Sequence, residues 1–222
     1  MSGSNLREAL VDEIKDLYNA EKQLTKALPK LAKGSTSEEL REAFESHLEE
    51  TENQVTRLER IFEILDEKPR GKHCAGMAGI IEEGNEKLQE DAEDSVMDAM
   101  LIAAAQRAEH YEIGSYGTAI AWAEALGLTE VAQILGETLA EEKAADEKLS
   151  AIAESGVNEA ATAGESEDEM EEDDDEESES RSTGSSESAG ASARSASGSR
   201  AGSGSRSASS GSKGTRQRGG RR

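Results

Sequence analysis

The informative polar residues of this chain are those that fall where a helical period demands apolar ones. Leu6, Leu10, Ile14, Leu17, Leu24, Leu28 and Leu31 recur at helical spacing, and Glu21 stands in their stripe, four residues after Leu17 and three before Leu24. A second stripe is formed by Leu40, Phe44, Leu48, Val55, Leu58, Phe62 and Leu65; His47 follows Phe44 by three, and Glu50 and Gln54 continue its face. Further on, Glu109 follows Ala105 by four, with Glu112 three beyond it and Tyr116 four beyond that. Glu142 lies seven after Leu135, with Asp146 and Leu149 next on its face. Each of the four segments therefore turns at least one carboxylate toward a common axis. Buried and unpaired, such a group costs several kcal/mol or takes up a proton. Two divalent cations resolve the conflict. Four Glu and an imidazole make an oxygen and nitrogen donor set suited to iron or manganese, harder than the thiolate sites of structural zinc. Two ions bridged by carboxylates can accept and return electrons, so the chemistry this pattern points to is iron oxidation or peroxide reduction.

The elements that must position these side chains are all helical, because the long segments show the 3.6-residue period and none shows sustained alternation. The first helix is expected over about residues 6–33, ended by Gly34-Ser35, with Pro29 an irregularity, since an interior proline loses a hydrogen bond and kinks the helix. Ser37 offers an N-cap, and Glu38 and Glu39 supply acids for the first turn of a second helix running to about residue 66. The link is short, so these two should be antiparallel neighbours. Residues 67–93 are punctuated by Pro69, Gly71, Gly76, Gly79 and Gly84, and Ile80, Ile81 and Leu88 leave room for only a short helix, so this stretch reads as a crossover. A third long helix from about residue 94 to 126 stops at Gly127, and a fourth begins beyond Thr129. Two helical hairpins joined by one long connection make the ferritin-like form of the four-helix bundle.

Depth along the bundle strengthens the case. Glu21 precedes Ser35 by 14 residues and Glu50 follows it by 15, so both lie roughly 21 Å from the turn at ~1.5 Å rise per residue. Across the turn at Leu128, Glu112 is 16 residues before and Glu142 is 14 after, while Glu109 is 19 before and Asp146 is 18 after. For any one of Glu21, Glu50, Glu109 or Glu142 the competing reading is an edge residue whose head reaches water; four at matched depth favour a shared site. His47 is open between a metal ligand, a partner of one, and a satisfied core histidine. Asp146 reads as supporting the site, His110 as a helix-packing residue or a partner of a ligand beside the Glu109 face rather than a ligand itself, and Tyr18, Tyr111 and Tyr116 as core fillers with a polar tip. Cys74 reads as a small buried thiol, His73 as a surface imidazole, and Glu82 and Glu83 as solvated.

The runs DLYNAEKQL (16–24), HLEETENQVTRLERIFE (47–63), IIEEGNE (80–86), LIAAAQRAEHYEIGSYGT (101–118) and ETLAEEKAADEKL (137–149) occur in order over residues 5–156. In them the chain resembles the YciE/YciF family of ferritin-like proteins. The resemblance implies a ferritin-like fold, an association with stress response, a ferroxidase assignment, a dinuclear iron site and a homodimer. Carried onto this sequence, it marks Glu21, His47, Glu50, Glu109, His110, Glu112, Glu142 and Asp146. One departure stands out. The Glu-x-x-His pairs of di-iron bundles are absent, His47-x-x-Glu50 and Glu142-x-x-x-Asp146 standing instead, and this carboxylate-rich set resembles the rubrerythrin type and leaves open peroxide reduction rather than iron storage.

Charge divides the 222 residues into three: residues 1–164 carry 35 acids and 16 bases, 165–180 carry 12 acids and no base, and 181–222 carry one acid and nine bases. All six aromatics (Tyr18, Phe44, Phe62, Tyr111, Tyr116 and Trp122) precede residue 158. The expected organisation is a bundle over 1–158, an acidic disordered linker over 159–180 and a Ser/Gly/Arg-rich basic disordered tail over 181–222. The acid excess argues against nucleic acid as a partner of the bundle and fits a solvated surface in a salty cytoplasm, as in a halophile. Nucleic acid is an option only through the basic tail. No run approaches the ~20 apolar residues of a membrane helix, and the N-terminus has neither a basic n-region nor an apolar h-region, so the expectation is a soluble, cytoplasmic protein without a membrane partner. A single cysteine excludes an intramolecular disulfide. The reading is thus a two-iron oxidoreductase acting on Fe(II) with dioxygen or peroxide, manganese being the other candidate metal. Two alternatives are a non-catalytic helical stress protein and a DNA-associated protector working through its tail.

Overall fold

The computed structural model describes residues 5–163; the expectations for the acidic run and the basic tail lie outside the described residues. All regular structure among the described residues is helical: α1 (Leu6–Gly34), α2 (Glu38–Ile64), α3 (Ala75–Lys87), α4 (Asp94–Ala125) and α5 (Thr129–Ile152). A π-helical turn, Ala153–Val157, and a further helical stretch over 158–163 follow. The helical path therefore runs past residue 158, with Ala153 and Val157 packed against the core. Among the described residues no helix is long and apolar enough to cross a membrane.

Local chemistry sets the helix ends. The Asn5 side chain accepts from the Glu8 amide at 3.0 Å, and the Ser37 hydroxyl accepts from the Leu40 amide at 3.3 Å, each satisfying an amide that the helix leaves unpaired. Helix α1 continues through Pro29, which lies on its exposed side. At the far ends, Glu67 N donates to Phe62 O and Leu128 N donates to Ala123 O, both at 2.9 Å, and the residues between, Asp66 and Gly127, adopt left-handed backbone at φ 56° and 71°. Gly127 takes that conformation without strain, whereas Asp66 is one of the few side chains that tolerate it.

Leu10 and Ile14, near the start of α1, share an apolar cluster with Ala119 and Ala123, near the end of α4; at the other end Leu28 and Ala32 cluster with Leu101 and Ile102. Helices α1 and α4 are therefore antiparallel, α2 and α4 parallel, and the α2–α4 connection must travel the length of the bundle. It does so along α1: Lys72 N donates to Lys15 O at 3.0 Å, Cys74 N to Asn19 Oδ1 at 2.8 Å, and Lys30 Nζ to Asn85 Oδ1 at 3.4 Å. Cys74, fully buried, also accepts at its thiol from Met77 N and so caps α3. Because α1, α3 and α5 all pack against α4, that helix is apolar on more than one face. This is the crossover bundle expected from the two hairpins.

Where the crossover ends, it is tied to the first hairpin. Asp98, buried in the first turns of α4, accepts from Thr36 N at 2.9 Å, Thr36 Oγ1 at 2.6 Å and Ser37 N at 2.8 Å. Replacing it removes the acceptor of three hydrogen bonds just before α2, of which only the Thr36 hydroxyl has another acceptor, Asp94 O at 3.4 Å. Asp98→Ala is expected to cost roughly 2–3 kcal/mol, which in a domain of this size lowers the melting temperature by about 5–10 °C. A thermal melt followed by circular dichroism checks this; an unchanged midpoint would show that water replaces the carboxylate at no cost.

Candidate metal centre

Two apolar clusters fill the ends of the bundle. Between them lies a polar layer to which all four long helices contribute: Glu21 from α1, His47, Thr51 and Gln54 from α2, Glu109 and Glu112 from α4, and Thr138 and Glu142 from α5, all buried. In each helix these residues interrupt an otherwise apolar inward stripe, so packing the stripes together necessarily packs the acids together.

Within the layer, His47 Nε2 lies 3.3 Å from Glu109 Oε1 and 3.8 Å from Glu142 Oε2. One donor atom from each of His47, Glu109 and Glu142 lies within 4.8 Å of the others, a spacing that can hold a metal ion. Glu21 accepts a short hydrogen bond from the Tyr116 hydroxyl. The remaining acceptors lack donors: Glu21 Oε2, Glu109 Oε2 and both oxygens of Glu112 and of Glu142 are buried with no hydrogen-bond partner among the described residues. Buried acceptors are nearly always satisfied, so six carboxylate oxygens facing one another require either protons or cations. Divalent cations fit this donor set in charge and in chemistry.

The electrostatics agree. Burial, then the charge of Glu142, pushes Glu21 and Glu109 well above the ordinary carboxylate range. Burial and Glu21 do the same to Glu112. Glu142 is raised by burial too, with His47 opposing the shift. The Tyr116 phenol is raised well above its usual value by burial and then by the charges of Glu21 and Glu112, and so stays a donor.

Two residues expected in this set sit elsewhere. Glu50 is at the rim: its side chain keeps 43% of its surface exposed, and Oε2 lies 3.3 Å from His47 Nδ1, on the side of the ring away from the cluster. That contact holds its carboxyl below the usual range. Thr51, fully buried, occupies the inward position at that level, its hydroxyl donating to His47 O at 2.7 Å. Asp146 is also outside the cluster, contacted by Gln106 Nε2 at 3.2 Å and by exposed His110 Nε2 at 3.1 Å. Conversely, Tyr116 does more than fill the core, and its position four residues beyond Glu112 on the same stripe was the signal for that role. On the outer seam, Arg57 grips Glu141 with two hydrogen bonds of 2.6 Å, and Gln54 donates to the same carboxylate at 3.1 Å. Both Arg57 and Glu141 lie off the apolar stripes, where the periodicity gives no signal.

The profile of a family described as a domain of unknown function, DUF892, matches residues 5–162. The chain is similar to Protein YciF of Escherichia coli K12, with 45% identity over 162 residues that span 72% of this chain and 98% of YciF. The crystal structure of the E. coli stress protein YciF superposes with a TM-score of 0.68 at 46% identity, over 70% of this chain and 98% of that one. A ferritin-like diiron-carboxylate protein from Bacillus anthracis superposes with a TM-score of 0.52 at 18% identity, over 68% of this chain and 99% of that one, a likeness of fold.

Proposed function

Since the chain belongs to the DUF892 family, with YciF among its relatives, we propose that it is a dinuclear iron protein of stress response that oxidises Fe(II) with dioxygen or peroxide. The observation that carries this reading is the set of six carboxylate oxygens of Glu21, Glu109, Glu112 and Glu142 buried without donors, beside a histidine whose Nε2 faces Glu109 and Glu142. His47, Glu109 and Glu142 would hold one ion, and Glu21 and Glu112, with Glu142 shared, the other. When bound, iron supplies a one-electron couple at each ion, which together can reduce dioxygen or peroxide.

The chain's own residues set the conditions. With its proton on Nδ1, 3.3 Å from the Glu50 carboxylate, His47 would direct the Nε2 lone pair inward; a carboxylate behind a ligating imidazole also raises its basicity. The Tyr116 hydroxyl holds Glu21 in one orientation. The apolar clusters on both sides exclude water and strengthen every charge interaction in the layer. Glu50 and Asp146 act from the rim, Glu50 by orienting His47.

The test is the metal content of the full chain purified without chelator, followed by stopped-flow mixing of anaerobic protein with Fe(II) and then with oxygen or peroxide. About two metals per chain and a fast oxidation phase are expected; a chain that binds no iron stoichiometrically sinks the proposal.

A further inference from the structure

The seam between α2 and α5 is closed at one end by the Arg57–Glu141 pair and at the other by Phe44 and Leu149. Between these closures it opens into a cavity of about 100 Å³. The cavity reaches His47 and Glu109 on its inner wall, and Glu50 and Lys148 also line it. It exists because α5 presents Ala144 and Ala145 where α2 presents Ser46 and His47, so small side chains leave the helices unfilled. Its volume admits several waters. A second, smaller cavity of about 30 Å³ touches Glu109 from beneath α3, but its other walls are almost wholly apolar, including Leu24, Leu28, Ile80 and Ile81. Before Glu109 the only polar side chain on that route is Asn85, a neutral amide whose Oδ1 already accepts from Lys30, so an ion leaving its hydration shell meets no charged ligand there.

Resting on the metal reading above, we propose that the α2–α5 opening is the port through which a divalent cation reaches the cluster, with Glu50 as its first protein contact and Lys148 as the electrostatic barrier at the mouth. Among the residues lining the opening, Glu50 is the carboxylate that bridges solvent and site, half exposed yet 3.3 Å from the ring of His47. A partly hydrated ion exchanges water for this carboxylate before passing to the imidazole and Glu109. Lys148 is the only cationic side chain among the residues lining the opening. It opposes the field of the acidic domain at the point where the ion must pass.

The test is the rate and stoichiometry of Co(II) binding to the full chain, followed by stopped-flow visible absorption. Ala145→Leu, which fills the mouth from a half-buried position, is expected to slow association at least tenfold and leave the final stoichiometry unchanged. Lys148→Glu, on an exposed residue that folding does not depend on, is expected to speed association several-fold in low salt, an advantage that disappears in high salt. Gly84→Ala narrows the smaller cavity at ordinary contact distance, 3.6 Å from Ala104, and should leave the rate unaltered. Wild-type rates in both Ala145→Leu and Lys148→Glu, or slowing by Gly84→Ala alone, overturn the port while the site stands. Failure of the wild-type chain to bind Co(II) overturns the site reading, and the port with it.

Discussion

Loading with Mn(II) is expected to invert the dependence of stability on pH. In the metal-free protein Glu21, Glu109, Glu112 and Glu142 are all held above the ordinary carboxylate value, chiefly by burial. A group raised in the folded state keeps its proton there after the unfolded chain has released it. Its contribution to stability is fully present below the unfolded value and is lost as pH rises through the folded one. The metal-free melting temperature should therefore fall between pH 5.5 and 8. Each unit by which a carboxylate is raised corresponds to about 1.4 kcal/mol, so a fall of roughly 5–10 °C is the expected scale for a domain of this length. Glu50, whose carboxyl is lowered, works in the other direction, but only as pH drops through its own acidic range, outside this window. With Mn(II) present the sign reverses. Ligands must be deprotonated to bind, so affinity rises with pH, and a metal at a hundred times its dissociation constant adds about 2.7 kcal/mol. Calorimetric scans at the two pH values, in chelator and in Mn(II), decide the matter; parallel slopes in the two series would remove metal from the account of the cluster.

How much of this was legible from the residues depends on what a helical period can encode. Apolar stripes locate the inward face, so Glu21, Glu109, Glu112 and Glu142 announced themselves by interrupting it, and counting from the two turns paired Glu21 with Glu50, Glu112 with Glu142 and Glu109 with Asp146 in depth. Counting fixes depth but not rotation. At 100° per residue, Glu50 sits about 60° to one side of His47, whereas Thr51 sits about 40° to the other and meets the axis. The inward series of α2 is His47, Thr51, Gln54 and Leu58, which leaves Glu50 at the rim. Asp146 shows the same limit: it follows Glu142 by four, but it leans toward Gln106 and His110 of α4 rather than into the cluster. Asp98 was beyond reach for another reason. Its partners are in the α1–α2 turn, and nothing local in the crossover fixes which residue of α4 arrives there. The crossover was recognisable as irregular, but its course along α1 depends on contacts such as Cys74 with Asn19, far apart in sequence.

If the cluster holds cations it should weaken the protein that lacks them, and Glu112→Gln separates these two effects. Glu112 is fully buried, with neither oxygen given a donor, and the charges of Glu21, Glu142 and Glu109 surround it. Glutamine has nearly the same volume, removes one negative charge and brings an N–H2 that can donate to a neighbouring carboxylate. In chelator at pH 8 the variant should therefore be more stable than the parent by about 2 kcal/mol, or roughly 4–8 °C in melting temperature, because the neutral isostere needs neither to bury a charge nor to take up a proton at a pH where the unfolded carboxyl has released it. In Mn(II) the ranking should reverse, since an amide is a poorer ligand and the variant retains at most the ion held by His47, Glu109 and Glu142. Opposite signs in the two conditions are the signature of a site that gives up fold stability to hold cations, the compromise common at active sites. If Glu112→Gln instead melts below the parent in chelator, the carboxyl is acting as a structural hydrogen-bonding group. The layer would then be a protonated network that holds the four helices in register.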